Sequence, residues 1–153
     1  MLPIRKILCP IDFSDSSFIV LEAACEFAVH FSCELIALHV IAPIPALVTG
    51  HISPSAMNGN GLLQEMEESS KRLLEENVAQ RVPKGISVRC RIIAGNPAEQ
   101  IGEAADQENV ELIMISTRGQ TGLKRLASGS VTEKVVRLSE CPVLIIAGTR
   151  AKK

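Results

Sequence analysis

Tryptophan and tyrosine are absent from this chain and phenylalanine occurs only four times, so it offers no obvious platform on which nucleic-acid bases could stack. Acidic and basic side chains nearly cancel, 17 against 16 for a net charge of −1, which removes any general attraction to DNA or to anionic membranes. No nucleic acid and no membrane is therefore expected among its partners. No apolar run approaches the roughly 20 residues that span a bilayer. The start, Met1-Leu2-Pro3-Ile4-Arg5-Lys6, runs into a strand-like segment without the apolar core of a signal peptide. Five cysteines, Cys9, Cys25, Cys33, Cys90 and Cys141, form no Cys-x-x-Cys pair and lie in or beside apolar segments, as reduced core thiols do. The expected location is cytoplasmic. Enzyme signatures are missing too: there is no Gly-x4-Gly-Lys-Ser/Thr, no Gly-x-Ser-x-Gly and no His-Glu-x2-His. The three histidines, His30, His39 and His51, have no spacing that specifies a metal site or a nucleophile's base. No catalytic residue and no metal ligand is assigned.

What the chain does contain is an alternation of apolar strands and amphipathic helices over 153 residues, a length suited to one domain that buries roughly 70% of its unfolded surface. Ile7 to Ile11 reads as a buried strand, and Ser14 to Phe31 as a helix with Phe18, Leu21, Cys25 and Ala28 along one face. Leu35 to Val40 is a second strand with almost no polar alternation, which requires cover on both faces. From Ile41 to Gly61 prolines and glycines mark a long irregular loop. Leu62 to Arg81 is a charged helix whose Leu63, Met66, Leu73 and Val78 are expected to face the sheet. Ile86 to Ile92 alternates strictly, with Arg89 and Arg91 on one side, as an edge strand does. Asn96-Pro97-Ala98-Glu99 opens a helix to about Gln107. A strand from Glu111 to Ile115, a helix from Ser130 to about Leu138 and a strand from Pro142 to Ala147 complete the pattern. Five strands alternating with four helices predict an α/β fold, a single-domain doubly wound five-stranded parallel sheet of order 3-2-1-4-5 with helices on both faces.

In such a sheet a ligand sits beyond the carboxyl ends of the strands, where the winding direction reverses. Here that point lies between the first and fourth strands. Pro10-Ile11-Asp12-Phe13-Ser14 follows the first, and Ser116-Thr117-Arg118-Gly119, then Gly129-Ser130 nine residues later, follow the fourth. Ser130-Val131-Thr132-Glu133 has the Ser-x-x-Glu form of a capping box, so free backbone N–H groups and the positive end of a helix face the loop, as a phosphate requires. Arg118, Lys124 and Arg125 add cationic reach. The plainer alternative is that Ser130 only caps its helix, the glycines only turn the chain, and Asp12 is a turn residue or cap.

Taken together these residues resemble the universal stress protein family, whose ATP-binding members carry Gly-x2-Gly-x9-Gly-Ser/Thr between the fourth strand and the fourth helix. The similarity covers nearly the whole chain and includes Ile7 to Ser14, His39-Val40, Gly95-Asn96-Pro97-Ala98, Gly129 to Val135 and Cys141-Pro142-Val143. It implies a homodimer that binds ATP, Asp12 meeting the adenosine end, the Val40 backbone the adenine, and Gly119, Gly129 and Ser130 the phosphates, with Val131 and Thr132 following in the same site. Pro10, Ile115 and Ser116 complete the expected cofactor-binding set; whether Mg²⁺ accompanies the nucleotide stays open. One residue departs from the pattern: Ser116 stands where its first glycine would be. If backbone must pass close to phosphate there, or take φ > 0, a Cβ is a hindrance; alternatively the hydroxyl is a ligand contact.

Two functions follow. One is an ATP-binding stress-response module with at most slow hydrolysis, dimeric through the last strand, Val143 to Ala147, whose apolar edge invites pairing with a second copy. The other is a dimeric interaction module of the same fold that binds no nucleotide.

Overall fold

The computed structural model describes residues 2–43, 59–117 and 130–147. These form β1 (Lys6–Pro10), α1 (Asp15–Phe31), β2 (Glu34–Ile41), α2 (Gly59–Arg81), β3 (Val88–Ala94), α3 (Pro97–Glu108), β4 (Leu112–Ser116), α4 (Val131–Leu138) and β5 (Val143–Ile146). All four strand pairings are parallel and the order is β3-β2-β1-β4-β5, the predicted doubly wound sheet. Three helices start on a side-chain cap, two of them, at Asn96 and Ser130, where the sequence places one, and the first at Ser14, one residue before the helix proper. Ser14 Oγ accepts the N–H of Ser17, Asn96 accepts those of Ala98 and Glu99, and Ser130 accepts that of Glu133, each satisfying donors that a helix start leaves open. Helices α1 and α3 end on left-handed Ser32 and Asn109, whose N–H groups turn back to the last carbonyls.

Neighbouring residues of the central strands point to opposite faces, and both faces are dry. Ile7 and Cys9, Leu35 and Ala37, Leu112 and Met114 join Phe18, Leu21, Ala24, Cys25 and Ala28 of α1 and Leu74 and Val78 of α2 in one core. Leu8, Ile36, Leu38, Ile113 and Ile115 join Ala98, Ile101, Ala104 and Ala105 of α3 and Val135 of α4 in the other. The helix-1 stripe is the predicted one. The α2 stripe is so only in part: Val78 is buried as expected and Leu74 joins it, while Leu63 and Leu73 are 40% and 44% exposed. The reason is geometric. At about 1.5 Å per residue the 23 residues of α2 span roughly 35 Å, whereas the eight of β2 span about 26 Å, so the first turn or two of α2, with Leu63, overruns the sheet, while Leu73, next to the buried Leu74, points about 100° away from it around the helix. The long loop expected from Ile41 to Gly61 is shortened at its end by the start of α2 at Gly59, and its residues 44–58 lie outside the described ones.

Strand β3 is the edge that its alternation predicts, with Val88, Cys90 and Ile92 against the α1/α2 core. Its charged side does not simply face water. Arg89 makes two hydrogen bonds to the Glu108 carboxylate, at 3.0 and 2.7 Å, and a third to Glu34 at 3.1 Å. Arg91 adds one to Glu108 at 2.8 Å, and Lys6 Nζ donates to the Glu108 carbonyl at 2.9 Å. The end of α3 is thereby tied to β1 and β3, and through Arg89 to Glu34 of β2. Hydrogen bonding from Arg89, aided by the charges of Arg89, Arg91 and Lys6 and opposed by burial, lowers the Glu108 carboxyl from 4.5 to about 2. A depressed carboxylate contributes stability above its unfolded value, near 4.5, and loses it as pH falls through about 2. Glu108→Gln is therefore expected to destabilise the fold by about 1–2 kcal/mol near neutral pH. In urea melts the gap from the parent protein should shrink as pH is lowered below about 4.5; a pH-independent gap would show that the charge is not the source.

Candidate functional site

The carboxyl ends of β1, β2 and β4 open into a cleft of about 610 Å³. Pro10, Asp12, Val40, Ile115, Ser116, Ser130, Val131 and Thr132 all line it. These are eight of the ten candidate contacts; the other two, Gly119 and Gly129, lie outside the described residues, as do Arg118, Lys124 and Arg125.

One wall is the turn after β1. Asp12 Oδ1 accepts the N–H of Ser14 at 3.0 Å and also its hydroxyl, and Ser14 in turn caps α1. Between them Phe13 takes a left-handed φ of 64°, a conformation that costs a non-glycine residue roughly 1–2 kcal/mol. Contacts on either side hold it there. The Phe13 ring lies 4.4 Å from that of His39 at the end of β2, and His39 Nδ1 donates to the Ile11 carbonyl over 2.7 Å. The turn-and-cap role foreseen as the plain alternative for Asp12 is thus real, and it fixes the carboxylate at the cleft.

The opposite wall is the junction of β4 with α4. Ser116 ends β4 in register with Ile146 of β5 and is 7% exposed. Its carbonyl accepts the Thr132 hydroxyl at 2.7 Å, while Thr117 N–H donates to the Ile146 carbonyl at 3.1 Å. These bonds set the first turn of α4 beside the strand end. Ser116 is an ordinary strand residue, absent from the positive-φ positions Phe13, Ser32 and Asn109. The strain half of the steric argument against a side chain at this position therefore falls; crowding alone is left. Ser130 performs the capping foreseen for it, at 3.2 Å from Glu133 N, and Glu133 pairs with Arg137 one turn on.

The remaining wall went unforeseen. Met66, Ser70 and Leu73 of α2, with Pro97 and Ile101 at the start of α3, close the cleft on the β2 side. Their spacing of four and three residues marks one helical stripe, but a stripe does not reveal whether it meets a sheet or a cavity. Asp12 and His39 are the ionisable groups of the described lining. No cluster of three or more His, Cys, Asp or Glu able to hold a metal occurs among the described residues. All five thiols are free, and burial pushes each of them up from its ordinary value.

The sequence pattern described as the universal stress protein family matches residues 3–147. This chain belongs to that family. It is 33% identical over 152 residues to universal stress protein MJ0577 of Methanocaldococcus jannaschii, covering 93% of this chain and 94% of the relative. The solved structure of MJ0577 matches with a TM-score of 0.79 at 31% identity, over 98% of this chain and 99% of that one. Two solved universal stress proteins share the fold at lower identity. One, in complex with cAMP, has a TM-score of 0.65 at 21% identity over 95% and 98% of the two chains. The other, from Archaeoglobus fulgidus in complex with dAMP, has a TM-score of 0.54 at 17% identity over 95% and 98%. No helix among the described residues of this family member is long and apolar enough to cross a membrane.

Because Asp12 holds the turn, Asp12→Ala is expected to lower stability by about 1 kcal/mol without any ligand present, a fall of roughly 2–4 °C in Tm for a domain of this size. Asp12→Asn keeps an Oδ1 acceptor and should escape most of that loss; calorimetric melts in which Asp12→Ala matches the parent would refute the structural role.

Proposed function

We propose that this protein is an ATP-binding universal stress protein, a dimeric stress-response or regulatory module rather than an efficient enzyme. The observation that carries the reading is the convergence of Pro10, Asp12, Val40, Ile115, Ser116, Ser130, Val131 and Thr132 on one cleft at the switch point of a parallel sheet, the place where such folds take ligands. Asp12 would meet the ribose, the Val40 backbone the adenine, and Ser116, Gly119, Gly129 and Ser130 the phosphates. The start of α4 supplies backbone N–H donors and a favourable dipole for the anionic end. Structures of the same fold holding cAMP and dAMP support an adenine nucleotide. Mg²⁺ would arrive with the phosphates, since Asp12 is the one carboxylate of the described lining. Neither Asp12 nor His39 sits on the β4 side where a γ-phosphate would lie, so general-base help worth about 10²–10⁴-fold is missing from the described lining and hydrolysis would be slow. Five free thiols fit a cytoplasmic protein.

The second reading, an interaction module that binds no nucleotide, draws on Ser116, a cleft-lining residue with a side chain where the family's ATP-binding pattern has glycine. Calorimetry with ATP, with and without Mg²⁺, separates the two. Binding is expected in the parent protein and several-fold tighter in Ser116→Gly, because removing a Cβ relieves crowding. No heat at millimolar ATP would favour the interaction module, and weaker binding by Ser116→Gly would make the hydroxyl a contact.

Dimerisation would use β5. It is the edge opposite β3, and Ile145 together with Val136 and Leu138 of α4 leaves apolar surface exposed at 43%, 46% and 55%. Two-fold pairing of Val143 to Ala147 with a second copy would cover that edge. Light scattering at micromolar concentration should give twice the chain mass; a monomer with and without ATP would overturn this arrangement.

A further inference from the structure

The cleft is not uniform, and the topology separates its two ends. Ser116, Thr117, Ser130 and Thr132 stand on the β4 side, all hydroxyl-bearing. On the other side of β1 lies the end of β2, with Val40, Ile41 and Ala42, and α2 packs along that strand. The helix presents Met66, Ser70 and Leu73 to the cleft. Met66 is half-buried and Leu73 is 44% exposed, although both occupy a helix whose packing on the core is carried by Leu74 and Val78. Two large apolar side chains about two turns apart thus border a cavity rather than the core.

We propose that Met66 and Leu73 are specificity-determining residues that grip the planar heterocycle of the bound nucleotide against the end of β2, so that α2 rather than the phosphate-side junction recognises the base. The inference rests on the nucleotide reading above and adds the wall that reading lacks. A base needs a flat apolar contact on its face. The chain has neither Trp nor Tyr, and the ring of Phe13 is already engaged with His39. An aliphatic side chain and a polarizable thioether supply the same contact, since sulfur makes favourable approaches to aromatic rings. Ser70, between the two, puts a hydroxyl on the same stripe.

The test is calorimetric titration of ATP into the parent protein, Met66→Ala/Leu73→Ala and the exchange variant Met66→Leu/Leu73→Met. The alanine pair should bind ATP about tenfold or more weakly, as truncating two contacts that desolvate a ligand face does. The exchange variant should stay within about threefold of the parent because its apolar volume is conserved. Melting temperatures without ligand should match in all three, since Leu74 and Val78 are untouched. ATP bound equally well by the alanine pair overturns this inference and leaves the nucleotide reading standing. A large fall in its ligand-free melting temperature overturns it as well, by showing that the two side chains hold the fold instead. A parent protein that binds no ATP overturns the nucleotide reading itself, and this inference with it.

Discussion

Everything in this molecule depends on a parallel sheet being kept dry on both faces. Ile7, Leu8, Cys9, Leu35, Ile36, Ala37, Leu38, Ile113 and Met114 have no measurable exposure, and each fully buried large side chain is worth about 1.5–3 kcal/mol relative to an exposed one. A strand apolar on both sides must be covered on both sides, which forces the chain to wind outward from β1 in two directions. The polar groups that this core excludes collect at the strand ends. A cleft at the carboxyl end is thus a consequence of the winding: β1 hands the chain to α1 on one face, β4 toward α4 on the other, and the gap between the departures is left open.

The residues at that gap have structural work of their own. Asp12 and Ser14 build a turn and a cap, Thr132 ties α4 to the carbonyl of Ser116, and Ser130 starts the same helix. A strained Phe13 persists because its ring and the carbonyl of Ile11, two residues earlier, are both bound by His39, an arrangement in which surrounding contacts overdetermine a costly conformation. Groups fixed in this way meet a ligand without reordering, so less of the binding energy goes into immobilising them.

The two sheet edges are finished by different physics. Along β3, Arg89 and Arg91 converge on Glu108 and Glu34, and inward-bonded charge of this kind discourages a further strand. Along β5 the exposed groups are aliphatic. That asymmetry supports the proposed dimer edge, since both ends of the sheet would otherwise need the same protection.

How much of this was legible in the sequence varies with the range of the cause. Strand and helix order, the sheet topology, the α1 stripe and the caps at Asn96 and Ser130 follow from apolar periodicity and from side chains bonding two or three residues away, and such local rules need no knowledge of the rest of the chain. Membership of the family was legible for a related reason, as its motif residues fall at strand ends that the alternation locates. The ion network on Glu108, the burial of Leu74 in place of Leu73 and the α2 wall of the cleft were not. Arg89 and Glu108 are 19 residues apart and meet only because α3 returns across the sheet. Which side of α2 meets the sheet depends on how the helix is rotated as it packs, which places Leu74 inside and its neighbour Leu73 out. Sequence determined which surfaces had to be covered; tertiary structure decided which side chains were left over to line the opening, because that depends on lengths and crossings that no local pattern encodes.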